Sequence, residues 1–170
     1  RNAFNTVDRS AVVAVVEDVC PALAPFVRVC LRPTTAVVGG RAKPRVMSVD
    51  RGVVQGDPLS STLFALVMCS VMKAARAKLL ESGIDLLLIG PTEEVDGLRR
   101  LQSGAKVVAV LAYADDVTML WGGPDADVAV QAQRVLVQCL AAVGLQVAPE
   151  KAVLVAGRGV GVNAATALAS

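Results

Sequence analysis

The chain has no histidine, few aromatic residues and almost no charge imbalance, and each shortage narrows what it can be. Without histidine a cysteine–histidine zinc site is excluded. Cys20, Cys30, Cys69 and Cys139 form no C-x-x-C pair, so a disulfide framework has no support, and the four are expected to be buried thiols in a reducing compartment. A net charge of +2 over 170 residues lacks the basic excess that often marks a nucleic-acid-binding domain, so charge alone leaves the chain unclassified. Phe4, Phe26, Phe64, Tyr113 and Trp121 are the only aromatics, so Val, Leu and Ala must build the core. No basic segment leads into an apolar run with a small-residue cleavage site. The uncharged stretch from Pro58 to Met72 is too short to span a bilayer and reads instead as a buried helix. The expectation is a soluble, intracellular protein.

What is present is apolar surface: 54% of residues are hydrophobic and 19% charged, which argues against disorder. Val12, Val13, Val15, Val16 and Val19 form a helical stripe that Pro21 terminates, and a second apolar stretch, Ala22 to Leu31, stops at Pro33. Thr34 to Val38 alternates as a strand does, and Gly39-Gly40 offers a hairpin turn before Arg45 to Val54. Asp57-Pro58 is a strong helix start, because aspartate caps free N–H groups and proline suits the first helical position. That helix should run to about Leu80, end at Gly83 and be buried nearly all round in its first half. Residues Ile84 to Gly104 carry no decisive periodicity and read as a variable insertion or hairpin.

Val107 to Tyr113 and Val117 to Trp121 are apolar runs on either side of Ala114-Asp115-Asp116, which predicts a buried β-hairpin with two carboxylates at its tip. Asp125 or Asp127 should cap a helix whose inner face is Val128, Ala132, Val135, Leu136, Cys139, Leu140 and Val143; Gly144 closes it, and Leu145 to Val147 starts another strand. The order predicts an α+β fold, an antiparallel sheet with helices packed on one face. An Asp-Asp pair in a turn has an ordinary explanation, since turns favour aspartate. Its chemical reading is a seat for a hard divalent cation, which takes carboxylate oxygens and keeps positions open for water and phosphates.

Tyr113-Ala114-Asp115-Asp116 after an apolar strand resembles the signature motif of reverse transcriptases. Gly52-Val53-Val54-Gln55-Gly56-Asp57-Pro58-Leu59-Ser60, followed by Leu63-Phe64, is similar to that family's second palm motif. Asn2-Ala3-Phe4-Asn5 resembles the end of the first, in the form seen in non-LTR retrotransposons including those of trypanosomatids. Gly144-Leu145-Gln146-Val147 with Lys151 resembles the fourth. The four stand in the family's order and cover nearly the whole chain.

The resemblance implies a polymerase palm that copies an RNA template onto a DNA primer from dNTPs. It also implies two Mg²⁺ or Mn²⁺ ions, roughly 3.5–4 Å apart, between the primer 3′-oxygen and the leaving pyrophosphate. Asp115 would ligate metal, and Asp116 would be the second carboxylate, less directly engaged. Tyr113 would lie beside the template–primer. Gln55 and Gly56 would flank the incoming nucleotide, while Asp57 and Pro58 cap the helix. Phe4 would stack under the deoxyribose and exclude a 2′-hydroxyl, and Lys151 would stabilise or protonate the departing pyrophosphate. Arg41, Lys43 and Arg45 either touch phosphates or mark an exposed hairpin.

The family's first-motif aspartate lies five residues before the aromatic matched by Phe4, ahead of Arg1. The expectation is therefore a piece of a retrotransposon polyprotein: a palm over residues 1–156 without its upstream aspartate, most of the fingers or the thumb, inactive by itself, then a weakly patterned segment over 157–170. Nuclear localisation, absence from membranes and an open oligomeric state complete that expectation. Its rival is a degenerate, non-catalytic retroelement remnant that keeps only the palm fold. A nucleotide cyclase, also palm-shaped, would carry a Gly-Gly-(Asp/Glu)-(Glu/Asp)-Phe hairpin, which is absent.

Overall fold

A computed structural model describes residues 3–39, 44–88, 106–122 and 125–151. The chain divides into two compact units, Arg1–Ser70 with Val143–Leu145, and Val71–Ala142 with Gln146–Ser170. The class is α+β, as expected.

In the first unit a 3-10 turn at Ala3–Asn5 leads into helix α1, Arg9–Val19. Val12 and Val16, one helical turn apart, are fully buried. Cys20 ends α1, Pro21–Leu23 forms a 3-10 turn, and α2, Ala24–Cys30, packs on α1 and buries Val27. Strand β1, Thr34–Val38, pairs antiparallel with β2, Arg45–Val49, with Val37 opposite Val46. The strand read over Arg45 to Val54 is shorter than expected. Beyond Val49 the backbone turns, and Gly52 takes φ +76, outside the extended region. The turn expected at Gly39-Gly40 lies partly outside the described residues.

Helix α3, Pro58–Glu81, starts where Asp57-Pro58 predicts. The Leu59 N–H donates to Asp57 Oδ1 at 2.8 Å, so the aspartate caps the first turn. Gly83, at φ +73, follows its end. The helix is not buried all round. Ser60, Leu63, Phe64, Val67, Met68, Val71, Met72, Ala75 and Leu79 form a continuous buried stripe at helical spacing. The opposite side, with Ser61, Thr62, Ala65 and Cys69, is exposed; these residues are small or weakly polar and lose little there.

In the second unit a three-stranded sheet has the order β3 (Asp85–Leu88), β4 (Val107–Tyr113), β5 (Asp116–Trp121). The β4–β5 pairing is antiparallel, as expected, whereas β3 runs parallel to β4 with Asp85 beside Val107. Strand β3 occupies the start of the stretch that had no decisive periodicity; residues 89–105 lie outside the described part. Val107 to Val110 are buried, and Leu87 packs against Val107 and Ala109. Helix α4, Ala126–Ala141, packs on β4 and buries Val128, Ala129, Ala132, Leu136, Cys139 and Leu140. Asp125 is its cap, accepting from the Asp127 N–H at 3.0 Å. Val135 and Val143, read as inner-face residues, are only half-buried.

Two further expectations fail. Leu145 to Val147 is not a strand: among the described residues nothing pairs with it, and the chain passes into a 3-10 turn at Pro149–Lys151. Of the cysteines only Cys139 is buried; Cys20, Cys30 and Cys69 fall at helix ends or on an outer helix face, and all four are free. Among the described residues no helix is long and apolar enough to cross a membrane.

Candidate active site

Asp115 and Asp116 sit at the tip of the β4–β5 hairpin. Tyr113 pairs with Asp116, leaving Ala114 and Asp115 as a two-residue connection. Such tight connections need positive φ, which Ala114 supplies at +52. Directly paired residues share a face, so Asp116 lies on the same sheet face as Tyr113, with Leu111 and Thr118 next along it. That face is open toward the tip: Tyr113 is 85% exposed and both aspartates are exposed. The hairpin expected to be buried is so only along the base of β4, Val107 to Val110; no residue of β5 is buried, and the tip faces solvent.

The ion pairs among the described residues are Arg28–Glu17, Arg51–Asp8 and Arg76–Asp85. None engages Asp115 or Asp116. Among the described residues no group of three or more potential metal ligands is assembled. Two adjacent, exposed carboxylates nevertheless suit Mg²⁺ in their donor chemistry, because that ion is commonly held by one or two carboxylates with water and substrate phosphates completing its shell. Lys151 ends the Pro149–Lys151 turn, exposed, its N–H bonded to the Ala148 carbonyl at 3.0 Å.

The other candidates belong to the first unit. Phe4 is half-buried in the Ala3–Asn5 turn and stacks on Phe64 of α3, with ring centroids 4.4 Å apart and planes inclined by 16°. The Phe4 carbonyl accepts the Val53 N–H at 2.7 Å, and the Val7 carbonyl accepts the Gly52 N–H at 2.8 Å. These bonds bring the segment carrying Phe4 beside the loop carrying Gln55 and Gly56. A Cβ on Gly52 would lie 2.6 Å from the backbone of Asn5, so only glycine fits this approach. Gln55 and Gly56 are exposed, and Gln55, Asn5, Arg9 and Arg51 help line a cavity of about 390 Å³. Asp57 and Pro58 act as the helix start described above. Arg45 is an exposed residue of β2; Arg41 and Lys43 lie outside the described residues.

Two residues with no assigned part in the sequence reading hold this loop. Arg9 donates from Nε to the Gly52 carbonyl at 2.9 Å and from Nη1 to the Val49 carbonyl at 2.8 Å. Asp8, in the cap position of α1, makes no side-chain cap bond and instead faces Arg51, Nε to Oδ1 at 3.5 Å. The available signal was an arginine in the first turn of a helix, where the macrodipole disfavours a cation.

No curated protein and no solved structure shows a significant match to this chain. A family model described as reverse transcriptase (RNA-dependent DNA polymerase) matches residues 1–163, which takes in the Phe4 turn, the Gly52–Gly56 loop, the Asp115–Asp116 hairpin and Lys151. The chain belongs to the reverse transcriptase family.

Proposed function

We propose that this chain is the palm of a non-LTR retrotransposon reverse transcriptase, running through residue 156, and that it serves RNA-templated DNA synthesis within a larger polyprotein. The observation that carries this reading is the pair of exposed carboxylates at the end of a hairpin whose first strand, β4, is buried at its base. A buried base fixes the strand register, and a tight turn gives the tip little freedom, so the aspartates are presented at a set position to solvent.

Asp115 is the metal ligand in this reading and Asp116 the supporting carboxylate. Mg²⁺ or Mn²⁺ bound there supplies charge neutralisation for the triphosphate and activation of the primer 3′-oxygen. Tyr113, beside Asp116, offers an exposed ring to the template–primer. The Phe4 ring is held against Phe64, which restricts its orientation and suits it to exclude a 2′-hydroxyl. Gln55 and Gly56 meet the incoming nucleotide, and Lys151 holds a proton for the departing pyrophosphate. The 170 residues alone have no useful activity. Two carboxylates are too few for a two-metal site, and a net charge of +2 attracts template–primer weakly.

The test is RNA-templated dNTP incorporation with Mg²⁺, run on the 170-residue chain and on a longer chain carrying an aspartate five residues before Phe4 together with fingers and thumb. Activity is expected only in the longer chain. There, Asp115→Asn should lower incorporation by more than about a hundredfold while circular dichroism is unchanged, since even outer-shell partners of a metal are worth 10–100-fold. Near-normal extension by that variant sinks the assignment. Robust incorporation by the short chain, lost on Asp115→Asn, would show that Phe4 is not the first-motif aromatic and that the site is complete within these residues.

A further inference from the structure

Arg9 occupies the first position of α1, where a positive charge opposes the helix dipole. Its guanidinium turns away from the helix and spends its donors on main-chain carbonyls: Gly52 at 2.9 Å, Val49 at 2.8 Å, Arg32 at 3.1 Å and Leu31 at 3.4 Å. Val49 is the last residue of β2, and Gly52 opens the loop that carries Gln55 and Gly56. One half-buried side chain therefore grips both ends of the Asp50–Arg51 turn and ties it to the end of α2. A planar fork with donors on separate nitrogens can do this; an ammonium on a flexible stem cannot span the same acceptors.

We propose that Arg9 is a positioning residue for nucleotide binding: by fixing the carbonyls of Val49 and Gly52 it sets where the Gly52–Gly56 loop leaves the β1–β2 hairpin, and so where Gln55 stands. The nucleotide half of this inference rests on the role given to Gln55 above. The loop's own bonds point the same way. The N–H groups of Gly52 and Val53 are committed to Val7 and Phe4, so a displaced Gly52 carbonyl would disturb the Phe4 turn as well. Arg9 itself touches no reacting atom in this reading; it acts through the loop.

Two measurements decide it. Hydrogen–deuterium exchange of the 170-residue chain is compared among wild type, Arg9→Met and Arg9→Lys. Loss of charge-assisted bonds should speed exchange at Gly52 and Val53 by about tenfold or more in Arg9→Met, with α3 unaffected and Arg9→Lys intermediate. Unchanged exchange at Gly52 and Val53 overturns the proposal; should Arg9→Met fail to fold, Arg9→Lys against wild type carries the same comparison. In the longer, active chain, Arg9→Lys should raise the KM for dNTP severalfold with kcat nearly unchanged, as Gln55→Ala should. If Gln55→Ala raises KM and Arg9→Lys does not, the proposal is overturned. If exchange accelerates but neither variant moves KM, Arg9 still holds the loop and it is the nucleotide role of Gln55 that falls.

Discussion

The Gly52–Gly56 loop and the Ala114–Asp115 turn both carry residues given a part in the proposed reaction, yet they are held in opposite ways. The loop is fixed from outside, by the carbonyls of Phe4 and Val7 and by the guanidinium of Arg9, all more than forty positions away along the chain. The turn is fixed from within, by the Tyr113–Asp116 pairing and the ladder behind it. One depends on many remote partners that must arrive together, the other on two neighbouring strands. A locally held turn tolerates change in the rest of the molecule, whereas the loop transmits any fault in α1 or the Phe4 turn directly to Gln55.

The sharpest way to break this contrast is at Gly52. Gly52→Ala combines an unfavourable φ of +76 with a 2.6 Å approach to the Asn5 backbone. Together these should cost roughly 2–6 kcal/mol. Gly56→Ala, with φ +90 but open space around it, should lose only the strain part, roughly 1–3 kcal/mol. Urea unfolding followed by circular dichroism separates the two; equal losses would mean that the close approach carries no weight. A smaller effect is expected from Phe4→Val, which gives up the stack on Phe64 for about 0.5–1.5 kcal/mol. In the longer, active chain the same variant should admit ribonucleotides much more readily in dNTP–rNTP competition, and an unchanged sugar preference would reduce Phe4 to packing. Smallest is Ala114→Gly at the locally held turn. Relief of the positive φ is worth about 1–2 kcal/mol, and glycine's unfolded-state entropy takes back about 0.5–1. The net should be a gain of roughly 0.5 kcal/mol with no change in exchange at Gly52 and Val53; faster exchange there would erase the distinction between the two regions.

The same division explains what could be read in the sequence. Strand β1, the Asp57-Pro58 helix start, the glycine after α3 and the β4–β5 hairpin all rest on signals within a few residues, and each appears where those signals put it. Reading failed where the answer depends on distant partners. Leu145 to Val147 has strand-like residues but nothing to pair with among those described, and whether α3 buries one face or all of it depends on what lies against Ser61, Thr62, Ala65 and Cys69. The Asp-Asp turn could be named as a candidate site because its motif is contiguous. Arg9 was not, because its acceptors are backbone carbonyls, which every residue possesses and no motif records.

Gly144, at φ +79, leaves room for another residue as well as reversing the chain. A Cβ at this position would fall 2.6–2.8 Å from the carboxylate of Asp8, whose N–H is bonded to the Val143 carbonyl at 2.9 Å. Positions 8 and 144 therefore share one volume. Among diverging relatives, a side chain gained at 144 bears the strain of that φ and displaces the Asp8 carboxylate, by rotation or by a shorter residue at 8, and either change releases Arg51. Substitutions at these three sites should covary as a set, though they lie in three separate stretches of sequence.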